Sequence, residues 1–299
     1  MTKRPFGAGH FLLSLDGEPA IIKDFDGGNV SGETKEIPGG PYNTAMKAIS
    51  GLKFEPFTIN VGMSMGRALL AWIQASFRNE YAYKNGSIVS ANSNYKAQSY
   101  RHFRDALITK VTIPTLDASS KDTAFITVEF DPTEVEFQRG DNQPIQGQVS
   151  TKQKVWQPCN FRVEIGGLPC ASIKKVESFT LKQNVKEVPT GRSRIPDKVP
   201  TKVEFPNLKL TMPTAGNDAW IDWFKDFALN GKCDAASELT GAIEFLAPDG
   251  STLGEVELFG VGITNISHSK HEAGSDNIQE LTAELYVERM ALDLRHVDK

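Results

Sequence analysis

The sequence repeats itself at a distance of half its length, and this repeat limits the possible folds more than any other feature. Residues 54–77 have the pattern of a strand, a short Met-containing turn and an amphipathic helix, and residues 205–231 have the same construction. The motifs AWI at 71–73 and DWF at 222–224 align at an offset of 151 residues (222 minus 71). Such self-similarity predicts two tandem copies of one domain.

The repeat extends beyond these two segments. FLLSLDG at 11–17 precedes the first copy and FRVEIGG at 161–167 precedes the second. After the helices the offset becomes 155, and the apolar positions still correspond. Ile108, Val111, Ile126, Val128, Phe130 and Phe137 align with Ile263, Ile266, Leu281, Ala283, Leu285 and Leu292. The predicted organisation is a first domain at 1–137, a flexible to extended linker at 138–158, and a second domain at 159–299.

Composition agrees with two globular domains and excludes some classes of function. A chain of 299 residues is long enough for two cores of ordinary size. The net charge is −4, and Lys plus Arg number 15 against 16 acidic residues in 1–150 and 18 against 21 in 151–299. Neither half is a basic nucleic-acid module. No apolar run has the length of a membrane helix, and three cysteines without metal spacing indicate reduced thiols.

Residue patterns give no expectation of catalysis, of a cofactor or of a metal. The sequence lacks the phosphate-binding, dinucleotide-binding, serine-hydrolase and zinc-protease motifs. His268 and His271 are the only closely spaced histidines, and no further ligand is positioned to complete a metal site. We therefore predict a protein that is not an enzyme.

Hydrophobic periodicity predicts a mainly-β fold, a β-sandwich or small barrel with one flanking helix per domain. In the first helix Leu69, Ile73 and Phe77 form one apolar stripe with Leu70 and Trp72 beside them, and Ser64 is the predicted N-cap. Asn85-Gly86 predicts a hairpin turn. Separate strands are predicted at 99–107 and 108–115, and at 253–260 and 262–269.

Two segments without a sustained apolar pattern, 31–53 and 186–200, occupy matching positions in the two copies. We interpret both as long polar loops, which in compact domains usually make contacts or carry function. The first is Gly-rich and the second is basic, so the two could meet as unlike partners.

The segments 11–17, 57–73, 161–167 and 208–224 together resemble the tail tube proteins of bacteriophages and the related inner-tube proteins of contractile injection systems. The resemblance covers nearly the whole chain. It implies that six domains form a ring, that rings stack into a tube with a β-lined channel, and that the long loop reaches the adjacent ring. Because this chain carries two such domains, three copies would make a pseudo-hexameric ring.

The implied function is a conduit for DNA on its way into the host, with transient and non-specific DNA contact. Implied partners are further copies of the chain and other tail proteins (terminator, tip or baseplate, tape measure), without a membrane. The implied location is the virion tail, assembled in the host cytoplasm. The predicted inter-subunit contact residues lie in the two loops: Lys35, Glu36, Tyr42, Lys47, Lys186, Arg192, Arg194 and Lys198.

Two other functions remain open from the sequence. A baseplate hub or tail-tip adaptor with paired tube domains would form one ring and not stack. A two-domain β-sandwich binding module would keep exposed aromatic residues on one face, whereas Trp72, Trp220 and Trp223 lie in helix stripes that a core explains.

Overall fold

The computed structural model describes residues 9–37, 45–63, 65–78, 80, 82–145, 156–191, 195–269 and 278–294. Within these residues the protein is mainly β, with one helical segment in each half, as predicted.

The described residues of the first half contain eleven strands and one helix. They are β1 His10–Leu15, β2 Glu18–Ala20, β3 Asp24–Gly27, β4 Val30–Ile37, β5 Met46–Phe54, β6 Phe57–Val61, α1 Arg67–Phe77, β7 Lys84–Ala91, β8 Ala97–Ile113, β9 Leu116–Asp117, β10 Ile126–Asp131 and β11 Glu134–Arg139.

In the second half, the described residues form eight strands and one helix that ends in a π-helical turn. They are β12 Phe161–Ile165, β13 Lys175–Val176, β14 Phe179–Val188, β15 Asp197–Glu204, β16 Leu208–Pro213, α2 Asp218–Phe224 with the π turn Lys225–Leu229, β17 Leu239–Leu246, β18 Thr252–His268 and β19 Glu280–Leu294.

The two halves share strand order and register, which confirms the tandem duplication. In the first half β8 pairs with β10 so that Val111 lies opposite Val128, and in the second half β18 pairs with β19 so that Ile266 lies opposite Ala283. Both positions differ by 155 residues, and the irregularity in the first ladder recurs at the equivalent place in the second. Residues that are 155 positions apart in the sequence therefore occupy equivalent positions in the two halves of the structure.

Helix α1 confirms the predicted strand–turn–helix unit. Its apolar stripe is buried, from Leu69 to Phe77. The indole Nε1 of Trp72 donates to the carbonyl of Ala82 at 2.8 Å, which satisfies the one polar atom of the stripe. The helix begins at Arg67 after Gly66, whose φ of 97° suits glycine. Ser64 lies outside the described residues, and the N-cap is Gly66.

The prediction of a long loop was wrong for most of 31–53 and for the two ends of 186–200, because these residues form the strands of β-hairpins, while residues 189–191, 195 and 196 lie outside strands. β4 pairs with β5 from Val30↔Phe54 to Ile37↔Met46, and β14 pairs with β15 from Lys182↔Glu204 to Val188↔Asp197. The strands of the first hairpin are exposed along most of their length. A strand without a buried face has no reason to alternate apolar and polar residues, so its sequence lacks the pattern that identifies strands.

The predicted turn at Asn85-Gly86 was also wrong, since both residues lie inside β7. A Cβ added to Gly86 would lie 2.2 Å from the carbonyl oxygen of Ser14 on β1, so the glycine permits close strand approach. The chain turns instead at Asn92, whose Oδ1 accepts from the backbone N–H of Asn94 and Lys96. β8 and β18 are each one strand of 17 residues where two shorter strands were predicted.

Apart from β4 and β5, which pair only with each other, the described strands form two large sheets, and each sheet takes strands from both halves. One runs β2-β1-β7-β8-β10-β6-β3, with β11 and β14 also paired to β8 and β15 paired to β14. The other runs β12-β17-β18-β19-β16-β13-β9. The second-half hairpin β14–β15 thus joins the first-half sheet, and the first-half strand β9 joins the second-half sheet.

The predicted linker begins within a strand, since Gln138 and Arg139 end β11 opposite Tyr100 and Ser99 of β8. At the other end of the segment Trp156 is buried against Phe245, with ring centroids 5.0 Å apart. Residues 146–155 lie outside the described part of the chain. The domain boundaries themselves stay a prediction.

Candidate assembly interface

The main joint between the halves is an antiparallel ladder between β8 and β14. Its register is Phe179↔Ile113, Thr180↔Thr112, Leu181↔Val111 and Lys182↔Lys110. The apolar members of this ladder are buried, and the Oγ1 atoms of Thr112 and Thr180 lie 2.8 Å apart. The ladder pairs backbone groups at an edge of β8 that would otherwise be left without hydrogen-bond partners.

A buried lysine fixes the β14–β15 hairpin to the first half. Lys198 is 7% exposed, and its Nζ donates to Asp131 Oδ1 at 2.5 Å and to the carbonyl of Pro132 at 2.9 Å. The hydroxyl of Tyr83 donates to the carbonyl of Lys198 at 2.9 Å. Burial raises the pKa of the Asp131 carboxyl, and the hydrogen bond and charge of Lys198 oppose that rise. The charge of Lys198 is thus held by two oxygens of the other half.

Helix α1 supplies a third contact by packing on β19 of the second half. Gln74 Nε2 donates to Asp293 Oδ1 at 3.3 Å. Leu292 and Leu294, on either side of Asp293, are 2% and 3% exposed. α1 therefore contacts the second half through Gln74, while its apolar stripe is buried.

The first-half hairpin β4–β5 occupies the same place in the repeat but has no such cover. Within the described residues β4 pairs only with β5. Four large apolar side chains of this hairpin are exposed: Ile37 44%, Met46 63%, Ile49 68% and Leu52 49%. An exposed hairpin of this size with apolar side chains indicates a contact surface.

The end of β18 is the matching open edge. Residues 263–268 pair with β19 on one side, and among the described strands none pairs with the other side. The equivalent residues of β8, 108–113, pair with β10 on one side and β14 on the other. His268 is exposed where its counterpart Ile113 is fully buried.

Equivalent positions on the elements near this contact also differ in exposure. Phe137 on β11 is 53% exposed, whereas its counterpart Leu292 is 2% exposed. Trp223 on α2 is half-buried, whereas its counterpart Trp72 is 1% exposed. The chain thus uses one set of contact surfaces internally and leaves the equivalent set open at its two ends.

The described contact residues predicted from sequence lie on the two hairpins. Lys35 and Glu36 are exposed on β4, and Lys47 on β5 bridges Glu36 with 3.5 Å between Nζ and Oε1. Lys186 is exposed on β14, and Lys198 is the buried lysine of the joint. Tyr42, Arg192 and Arg194 lie outside the described residues.

Sequence reasoning missed the β18 edge and Phe137. A signal was present, because the aligned pair Phe137 and Leu292 is apolar in both copies, which indicates that both positions become covered. The comparison of equivalent positions would have identified these residues once the duplication was known.

Other sites are absent from the part of the chain that the structure describes. No group of three His, Cys, Asp or Glu side chains there could hold a metal ion. His268 ends β18, and His271 lies outside the described residues. No described helix is long and apolar enough to cross a membrane.

Comparison with known proteins gives one family for both halves. The family model for the T4-like virus tail tube protein gp19 matches residues 8–136 and again residues 157–291. No curated protein matches the chain.

Solved structures that resemble the chain each cover about half of it. A chain of the sheath–tube complex of the extracellular contractile injection system PVC is 22% identical over 46% of this chain and 94% of that chain, with a TM-score of 0.41. The tube-terminating cap of the anti-feeding prophage is 20% identical over 46% of this chain and 94% of that chain, also with a TM-score of 0.41.

Proposed function

The chain belongs to the T4-like virus tail tube protein family, and we propose that three copies close head to tail into a pseudo-hexameric ring that stacks into the channel of a tail tube. The observation that carries the proposal is the β8–β14 ladder. It joins two equivalent domains edge to edge, while the equivalent strands at the outer ends, β4 and β18, lack such a partner among the described strands.

Ring closure gives these outer edges a partner. An open sheet edge favours association until every edge is paired, as in a closed barrel. Because two domains are joined covalently, every second joint of the ring forms within a chain, where the effective concentration of the partner is high. Only three joints between chains then remain for a ring of six domains.

The distal parts of the two hairpins are the proposed contacts between stacked rings. Lys35, Glu36 and Lys186 are exposed there and carry both signs of charge. Tyr42, Arg192 and Arg194 belong to the same two hairpin regions in sequence. Contacts between such exposed charges are screened by salt, so stacking should weaken as ionic strength rises.

The proposed role of the tube is a passive conduit for DNA, without catalysis. A channel wall must not hold the phosphate backbone, and the net charge of −4 is compatible with a wall that does not. The proposed location is the virion tail after assembly in the host cytoplasm. Other tail proteins would bind the two ends of the tube and the tape measure would occupy its lumen.

Electron microscopy of the purified chain with mass photometry tests the proposal. We expect particles of three chains and stacked rings with an open channel. If the experiment shows single rings of three chains that do not stack at any salt concentration, the function would be that of a hub or tip adaptor and not that of a tube. A chain that stays single at tens of micromolar would overturn the proposal.

A further inference from the structure

We propose that the joint between chains repeats the joint within the chain: β4 of one copy adds to the open edge of β18 of the next, and Lys47 of that β4–β5 hairpin pairs with Glu238. This inference rests on the proposed ring and names the residues that close it. The partner is a second copy of this chain.

The register follows from the two internal offsets. β4–β5 and β14–β15 correspond at 151 residues along their whole length, since Ser31 faces Lys53 as Lys182 faces Glu204, and both ladders shift register at the same point. β8 and β18 correspond at 155 residues. The internal pairs Thr180↔Thr112, Leu181↔Val111 and Lys182↔Lys110 therefore become Asn29↔Ser267, Val30↔Ile266 and Ser31↔Asn265 between chains.

The residue types at these pairs suit the contact. The two hydroxyls of Thr112 and Thr180 are replaced by Ser267 and Asn29, whose side chains can also share a hydrogen bond. The buried pair of Val111 and Leu181 becomes Ile266 with Val30, both half-buried in the single chain. In the third pair, Ser31 and Asn265 replace the two lysines, so the pair is uncharged.

Lys47 is the counterpart of the buried Lys198 (198 minus 47 is 151), and both face a glutamate across their hairpin. Lys198 faces Glu187 but directs its amine to Asp131 of the other half. Lys47, which has no neighbouring half in the single chain, lies near Glu36 with both side chains about two-thirds exposed. The exposure of Lys47, in contrast to the burial of Lys198, is what we expect if the carboxylate that pairs with Lys47 belongs to a second chain.

The second half carries a carboxylate that can pair with Lys47, but this carboxylate lies at the position equivalent to Tyr83 and not at the position equivalent to Asp131. The counterparts of Asp131 and Tyr83 at an offset of 155 are Tyr286 and Glu238. The acid and the tyrosine have thus changed places, and they are bonded to each other, with the Tyr286 hydroxyl donating to Glu238 Oε1 at 2.7 Å. An amine entering this position would meet a carboxylate already oriented by the tyrosine.

A cross-linking experiment tests the register. In a Cys233→Ser background, Asn29→Cys combined with Ser267→Cys should give covalent three-chain product on oxidation, because directly opposite residues bring their Cβ atoms within disulfide reach. Ser31→Cys combined with Ser267→Cys is out of register by two residues and is the matched control. Efficient cross-linking of the control, or none of the in-register pair in particles that form rings, would overturn the inference and leave the ring intact.

Charge reversal tests the lysine. Lys47→Glu and Glu238→Lys should each reduce the fraction of three-chain particles at least tenfold, and the double variant should restore it. Lys121→Glu is the control, because this exposed lysine lies outside both hairpins and outside the β18 edge, so closure should be unchanged. Equal losses in all single variants without rescue would contradict the pairing. A wild-type chain that forms no ring overturns this inference together with the proposed function.

Discussion

The two hairpins of the molecule have the same place in the repeat, the same register and opposite environments. β14–β15 lies against the other half, with Phe179, Leu181 and Lys198 buried, whereas most residues of β4–β5 are exposed. The difference does not come from the hairpins themselves. It comes from their position in the chain, because only the second hairpin has a preceding domain to join. Under the proposed assembly, the exposed hairpin is such a joint before its partner binds.

The largest expected effect is a difference in the free energy of unfolding between a substitution at the paired edge of β8 and one at the open edge of β18. Ile113→Asp places a carboxylate in the buried ladder and should lower the free energy of unfolding by about 4 kcal/mol or more. His268→Asp, at the equivalent exposed position, should change it by less than about 0.5 kcal/mol. Urea unfolding of single chains measures both. Similar losses at the two positions would mean that the β18 edge is not open in the free chain.

The next effect compares the two equivalent lysines. Lys198→Met leaves Asp131 without its cation in a mostly buried site and should cost about 3 kcal/mol near neutral pH. Lys47→Met should leave the unfolding free energy unchanged, since that side chain is mostly exposed.

The loss in Lys198→Met should depend on pH. Burial raises the pKa of Asp131 above its ordinary value of 3.8, and removing the amine that opposes this rise shifts it further upward. A carboxyl that binds its proton more tightly in the folded state regains stability as pH falls toward the ordinary value. The difference between variant and wild type should therefore shrink from pH 7 to pH 4, and a difference that grows would contradict this account.

The smallest expected effect compares the positions beneath the helix contact. Leu292→Ala should cost about 2 kcal/mol, because its side chain is buried on β19. Phe137→Ala, at the exposed counterpart on β11, should have no measurable effect on unfolding of the single chain. The same Phe137 variant should reduce ring formation in mass photometry. If it assembles like the wild type, the helix contact is not repeated between chains.

The sequence predicted those parts of the fold whose residues face a core. The stripe of α1 and the alternation in β10 come from burial, and the duplication is visible because both cores keep apolar residues at equivalent positions. The β4–β5 hairpin could not be recognised, since residues such as Lys35 and Lys47 lie on strands that face solvent and show no period.

The candidate site was only partly predictable for a related reason. Lys198 was identified as a contact residue from its basic segment, but its partner Asp131 lies 67 residues away and gives no signal in its own sequence context. The β8–β14 ladder likewise depends on a meeting of distant strands. Strand pairing over such separations is set by the packed structure and not by local propensity.

The ladder between β8 and β14 also has a consequence for how chains can associate. Because β14 occupies the β8 edge within the chain, that edge is not available to β4 of a neighbour. Of the two equivalent joints, each chain then offers one donor strand, β4, and one acceptor strand, β18. Association of this kind has a direction and does not branch, so growth of the proposed ring would end when the last β18 edge meets the first β4 hairpin.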